Sequence, residues 1–258
     1  MRLVSMNIWG VRGDWKARRE VLADGLRNID PDLLTLQETI VRDDYDQVQD
    51  LLGDRFQLAH QIRREPDGQG ITTASRWPIT SVRELDLQLS PRTAGFACTT
   101  LIAEIDAPTG PLLLVNHFPS WKLQLEAERE VQALIAARAI EELRPDPEAP
   151  VIVAGDLDAD PGSASIRFWT GRQSLGGFSV CYRDAWEKVH PDEPGHTYTP
   201  DNPLMAEDWP FQRIDYILVR CGEHGPSLAI NDCRIIFDTP HDQVQASDHF
   251  GLMAHLEG

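Results

Sequence analysis

Apolar residues along this chain come in short blocks, and most blocks stop at a polar or acidic residue. Leu3–Trp9 alternates as a strand does. From Asp14 or Trp15 the period lengthens to that of a helix, with Val21, Leu22, Leu26 and Ile29 on one face, and Asp30-Pro31 ends it. Leu33, Leu34 and Leu36 predict a buried strand that stops at Gln37-Glu38. A helix follows over Tyr45–Leu52, closed by Gly53. Strands are expected at Phe56–Gln61, Ile71–Ser75, Ile79–Leu87 and Ala97–Ile105. A Pro-Gly turn after Ala107 then leads into Leu112–His117. Leu123–Leu143, rich in Ala, Glu, Leu and Arg, predicts the longest helix. Pro145, Pro147 and Pro150 separate it from a strand at Val151–Ala154. Short helices are expected at Ser163–Thr170 and Tyr182–Val189, and a proline-rich loop over Gly195–Asp208. Ile214–Val219, Leu228–Phe237 and His249–Leu256 complete the strands. Neither repeat nor linker interrupts the pattern. It predicts one α/β domain, residues 1–258, with two packed sheets and helices outside.

The residues at the strand ends carry the candidate chemistry. Asn7 lies near the end of the first strand and Glu38 at the end of the second. LLLV runs into Asn116-His117, and VIVA into Gly155-Asp156-Leu157-Asp158. Asp215 interrupts an apolar run, and Asp248-His249 precedes the last strand. Each cluster alone reads as a turn, a cap or a solvated end. A carboxylate between Ile214 and Tyr216 is different, because a buried charge needs a partner. Their conjunction points to one site at the open ends of the strands.

GDLDAD at 155–160 is not a calcium loop of the EF-hand kind. Counted from Asp156, the sixth and twelfth positions are Pro161 and Arg167, where glycine and glutamate are required. Asp160, just before Pro161, reads as a start residue for the helix near Ser163.

Charge narrows the partners. There are 24 basic and 41 acidic residues, a formal charge of -17, so the surface repels phosphate polymers at long range. Nucleic acid stays open as a substrate, bound through a metal and not through a basic face. No apolar run is long enough to cross a bilayer and no leader is evident, so the expectation is a cytoplasmic protein without membrane insertion. The cysteines Cys98, Cys181, Cys221 and Cys233 lack zinc-site or redox spacing and read as reduced thiols, with a Cys221–Cys233 bridge as the alternative.

The ordered motifs N-x-W, LQE, SRWPI, NHF, GDLD, RIDYI and SDH, spread from Asn7 to His249, resemble the endonuclease/exonuclease/phosphatase superfamily. That superfamily includes deoxyribonuclease I, exonuclease III, sphingomyelinases and inositol-phosphate phosphatases. The resemblance implies a four-layer α/β/β/α sandwich with two mostly antiparallel sheets. It also implies metal-dependent hydrolysis of phosphate esters, with Mg2+ as cofactor and Mn2+ as a substitute. Carried over, Asn7, Glu38 and Asp248 are implied at the metal. Asp156 is implied to align or deprotonate water, and His249, oriented by Asp215, to act at the phosphate. His117 is implied to contact phosphate or protonate the leaving group. Magnesium's preference for oxygen suits Glu38 and the amide oxygen of Asn7. The family usually has asparagine where this chain has Asp158, so Asp158 is expected either to join the metal or to share a proton with Asp156.

Substrate choice lies in loops. Trp9, Trp121, Lys122 and Arg172 are the candidate substrate contacts, with Arg12 and Trp209 in the same group of loops. The leading expectation is a phosphodiesterase acting on nucleic acid or a nucleotide. A phospholipid head group or sugar phosphate is the alternative, and a catalytically silent binding module is the reading from another class.

Overall fold

The computed structural model describes every residue except 145, 147, 206 and 207. Two of the prolines expected after the long helix, and part of the 195–208 loop, therefore lie outside the described residues. The chain begins with β1 (Arg2–Asn7), α1 (Trp15–Ile29), β2 (Leu33–Arg42), β3 (Tyr45–Asp46), α2 (Gln47–Leu52), β4 (Gln57–His60) and β5 (Gln69–Ser75). It continues through β6 (Ile79–Asp86), β7 (Thr99–Ala107), β8 (Gly110–Phe118), α3 (Glu126–Leu143), β9 (Val151–Asp156) and α4 (Ala164–Trp169). There follow β10 (Tyr182–Asp184), α5 (Ala185–Val189), β11 (Asp215–Gly222) and β12 (Gly225–Pro226). It closes with β13 (Ala229–Ile236) and β14 (Gly251–Glu257).

One seven-stranded sheet runs β13-β14-β1-β2-β5-β4, with β3 on β2; the other runs β10-β11-β9-β8-β7-β6, with β12 on β11. The pairs β1–β2 and β8–β9 are parallel and the remaining pairs antiparallel. The central strands are buried on both faces, which is why they read as nearly continuous apolar runs. Along β1, Leu3 faces the other sheet, where it joins Leu33, Leu114, Ile152, Ala154, Ile217 and Leu252. Val4 and Met6 face outward, where Leu22 and Leu26 of α1 and Val48 of α2 cover them. On the far side, Val115, Val153 and Leu218 meet Ala133, Ala136 and Ala137 of α3 and Phe168 and Trp169 of α4. The small α3 residues let that helix lie close on the sheet. The result is the expected four-layer sandwich, helices outside two face-to-face sheets.

Several boundaries differ from the sequence reading, each for a local reason. β2 does not stop at Glu38. It continues to Arg42 through a bulge between Leu36 and Thr39, with Glu38 at φ +57°. Tyr45 and Asp46 pair with β2, so α2 starts only at Gln47, capped by the Asp46 carboxylate on the N–H groups of Val48 and Gln49. Tyr182–Asp184 is a strand because it pairs with β11, and Asp184 then caps α5. The last strand begins at Gly251, leaving His249 in the preceding loop. The Ser165 N–H at the start of α4 is met by Glu126 of α3 at 2.7 Å, a long-range cap in place of Asp160. All four cysteines are free, so no Cys221–Cys233 bridge forms.

Candidate active site

Topology brings the polar strand ends together. β1 and β2 run parallel with Asn7 paired to Gln37, so Asn7 lies beside Glu38, which the β2 bulge carries. In the second sheet Asp156, last in β9, lies directly opposite Asp215, first in β11. Gly155 permits the close approach of β8 and β9 there, since a Cβ would run into the His117 carbonyl oxygen. The sheets are joined across the gap by Asn7 Nδ2, which donates to Asp156 Oδ2 at 3.0 Å and to Glu38 Oε1 at 3.2 Å. Below that, Gln37 Nε2 donates to Asn116 Oδ1 at 2.8 Å.

His249 stands between two carboxylates. Its Nδ1 is 3.0 Å from Asp215 Oδ2, and its Nε2 is 3.8 Å from Asp156 Oδ2. A carboxylate oxygen accepts, so in this hydrogen bond Nδ1 is the donor. Burial opposes a charge on His249, but Asp215, Asp156 and Asp248 together outweigh it and lift its pKa well above the ordinary histidine value. Asp156 is pushed up to about 7, chiefly by burial, with His249 pulling the other way and Asp215 adding to the rise. Asp248 rises to about 6 for the same main reason. Asp158 sits at φ +51° and donates its N–H to Asp156 Oδ1 at 3.2 Å. Burial first and the Asp156 charge second hold the Asp158 carboxyl well above the usual range.

These groups open into a cavity of about 390 Å³ lined by Glu38, Asp156, Asp158, Asp248 and His249 together with aromatic rings, Trp121, Tyr198 and Trp209 among them. Asp158 Oδ2 and Asp215 Oδ1 are shielded from solvent with no hydrogen-bond partner among the described residues. Hard oxygen donors crowded in this way, two of them unsatisfied, suit a divalent cation. Ligand-type atoms of Asp156, Asp215 and His249 all lie within 4.8 Å of one another.

The structure places the expected site residues His117, Lys122 and Arg172 outside the cavity lining. His117 does not reach the cavity. Side chains alternate across a strand, and Asn116 points toward the other sheet, donating to the carbonyls of Leu36 and Thr72. His117 therefore faces the helix layer, with Nδ1 2.7 Å from Thr100 Oγ1 and its ring edge-on to Trp169. Phe118, the next residue along, lines the cavity instead. Asn7 presents its nitrogen, not its oxygen, to the carboxylates, because Oδ1 accepts the Trp9 N–H at 3.0 Å. It orients Asp156 and Glu38, and the second lone pair of Oδ1 is left open to a metal. Trp9 and Trp121 do line the cavity. Lys122 leans on the Trp121 ring at 5.9 Å, outside the lining. Arg172 is ion-paired with Glu187 and takes no part.

Arg18 was not legible as a site residue from residue type alone. It is buried on α1 and donates to the carbonyls of Ile8, Trp9, Gly10, Arg12 and Ala246. It thereby ties the loop after β1 to the loop bearing Asp248. Its helical register with Leu22 and Leu26 was the available signal. Arg12 pairs with Glu38 and donates to Gln69 Oε1 at 2.7 Å, and Arg12 and Gln69 both line the cavity.

The model of the Endonuclease/Exonuclease/phosphatase family matches residues 4–249, from β1 to His249. The chain belongs to that family. Among curated relatives, human Sphingomyelin phosphodiesterase 2 is 24% identical over 99% of this chain and 64% of its own length. The Drosophila melanogaster Putative neutral sphingomyelinase is 23% identical over 100% of this chain and 60% of its own. The chain thus spans less than two thirds of either relative. Among solved structures, D. rerio TDP2 complexed with a single-strand DNA product superposes with a TM-score of 0.77 at 21% identity, covering 100% of this chain and 99% of that one. The human Nocturnin catalytic domain with bound sulfate gives 0.73 at 17% identity, covering 99% and 94%. These two likenesses establish the shared fold.

Proposed function

We propose that this chain is a divalent-metal-dependent phosphodiesterase acting on a nucleotide or nucleic-acid ester. The observation that carries the reading is His249 held between Asp215 and Asp156 on the floor of a cavity that Glu38 and Asp248 also face. Glu38 and Asp248 would hold the metal, with Mg2+ favoured by the all-oxygen donors and Mn2+ a substitute. When bound, such an ion neutralises phosphate charge and stabilises the charge that develops during displacement. Asp156, fixed by the Asn7 amide and the Asp158 N–H, accepts the proton of the attacking water; a carboxylate near neutrality is well matched to that task. His249, kept as imidazolium by Asp215, donates to a phosphate oxygen and supplies positive charge in an otherwise acidic site.

A phospholipid head group is the second reading, and it rests on the sphingomyelinase names of the curated relatives. The meeting of Asp156, Asp215 and His249 at one cavity favours an enzyme over a silent module. Hydrolysis of bis(p-nitrophenyl) phosphate with Mg2+ or Mn2+, abolished by EDTA and by Asp156→Ala or His249→Ala, tests the activity. No turnover with either metal would refute it. A panel of dinucleotide, oligonucleotide and sphingomyelin then separates the two substrate readings.

A further inference from the structure

Outside the site, two of the four cysteines stand opposite each other. β10 and β11 pair antiparallel with Tyr182 against Arg220, so one step outward Cys181 faces Cys221. The Cys221 N–H donates to the Cys181 carbonyl at 2.8 Å. Facing residues at a hydrogen-bonded position of an antiparallel pair have Cα atoms about 5.5 Å apart, inside the roughly 4.4–6.8 Å that a disulfide spans. The two thiols are also in hydrogen-bonding contact. The backbone therefore already holds the residues that must approach, and neither strand has to move to join them.

The surroundings admit a small reagent. Cys181 is exposed and Cys221 half-buried, and a pocket of about 550 Å³ opens over both, lined also by Glu141, Phe178, Tyr182 and Arg220. Cys98 and Cys233 differ. Cys98 is buried against Ser120 and Gln132, and Cys233 lies in the core between the sheets. A structural zinc ion would need four ligands. The pocket lining adds no histidine among the described residues, and its carboxylate, Glu141, is paired with Arg220. Two thiols without further ligands are suited to bonding with each other.

We propose that Cys181 and Cys221 form a redox-responsive pair, which a hydroperoxide closes into a cross-strand disulfide. In the first step the Cys181 thiol loses its proton and its sulfur attacks one peroxide oxygen. The O–O bond breaks, the departing hydroxide takes up that proton as water, and a sulfenic acid remains on Cys181. The Cys221 sulfur then attacks the Cys181 sulfur. The S–S bond forms, the S–O bond breaks, and the Cys221 proton leaves with the hydroxide as a second water. Each sulfur gives up one electron and the peroxide takes up two. Burial pushes the Cys221 thiol up to about 11, so the first attack falls to the exposed Cys181. The bond ties together the ends of the segment 181–221, which carries Tyr198 and Trp209 to the cavity. It braces that segment, and this does not depend on the phosphodiesterase reading.

The test treats the intact chain with a modest excess of hydrogen peroxide. Free thiols, counted in denaturant, should fall from four to two, and dithiothreitol should restore all four. Mass spectrometry of a non-reduced digest should show Cys181 joined to Cys221. Cys221→Ser should instead hold Cys181 as a sulfenic acid that dimedone traps. Relative to Cys221→Ser treated alike, the oxidised wild type should gain on the order of 5–10 °C in Tm over its reduced form, because closing so long a loop restricts the unfolded chain. The thiol count and the digest use the wild type alone, so they stand even if the variant folds poorly. Four free thiols after treatment would overturn the pair, as would a bridge through Cys98 or Cys233 or one between two chains. An equal shift of Tm in Cys221→Ser would overturn the bracing of the segment.

Discussion

Acidification from pH 7 to pH 5 is expected to cost the folded chain about 2 kcal/mol through His117 alone. This ring is buried against Thr100 and Trp169, with no carboxylate paired to it among the described residues. Burial pushes its pKa from the ordinary 6.5 down to about 3. Between those values the folded form keeps His117 neutral while the unfolded form takes up a proton, so falling pH favours unfolding. From 6.5 to 5 the unfolded state gains roughly 1.5 units at about 1.4 kcal/mol each, which yields the figure. Asp156 and Asp248 act in the opposite sense, because their raised values let the folded state hold protons more firmly as pH falls. The wild-type curve alone therefore mixes opposing contributions, and the comparison must be with His117→Gln, which keeps an acceptor and donor for Thr100 but does not titrate. Urea unfolding followed by tryptophan fluorescence, at pH 7 and pH 5 for both proteins, measures the double difference. The variant should lose about 2 kcal/mol less than the wild type on acidification. Parallel losses, within about 0.5 kcal/mol, would refute the claim that this histidine is buried neutral.

Three further outcomes follow from the same geometry. Asp215→Asn should lower kcat by about a thousandfold with little change in KM, and should shift the alkaline limb of the pH–rate profile toward neutrality as His249 loses its partner; steady-state assays over pH 6–9 show this. In EDTA, Asp158→Asn should gain stability relative to the wild type as pH rises from 5 to 8. A carboxyl whose folded pKa is raised costs stability once the pH passes its unfolded value, and an amide does not; thermal melts at both pH values decide it. Arg18→Met should destabilise by about 3 kcal/mol, because five backbone carbonyls lose their donor, and calorimetry would report it as a lowered Tm.

Local chemistry accounts for what was legible without a structure. The apolar runs marked the sheets because central strands here are buried on both faces, and Asp30-Pro31 marked the end of α1. Asp215 stood out because a charge inside an apolar run must find a partner, and Asp156 and Asp248-His249 because they fell with it at strand ends. The order of those motifs was enough to imply the family. Three features depended on how distant segments meet. The direction of His117 was decided when Asn116 turned toward Gln37 and the Leu36 and Thr72 carbonyls, which sent its neighbour into the helix layer and left Phe118 to face the cavity. Glu38 reached the site from inside a continuing strand through a bulge, whose register is set by pairing with β5 and not by residue type. Asn7 used its oxygen on Trp9 and its nitrogen on Asp156, a choice available only once both sheets were in place. The sequence by itself determined which residues could do the chemistry, since that follows from side-chain type and local burial. Only the tertiary structure decided which of them face one another, since that depends on strand register and on hydrogen bonds between residues far apart in the chain.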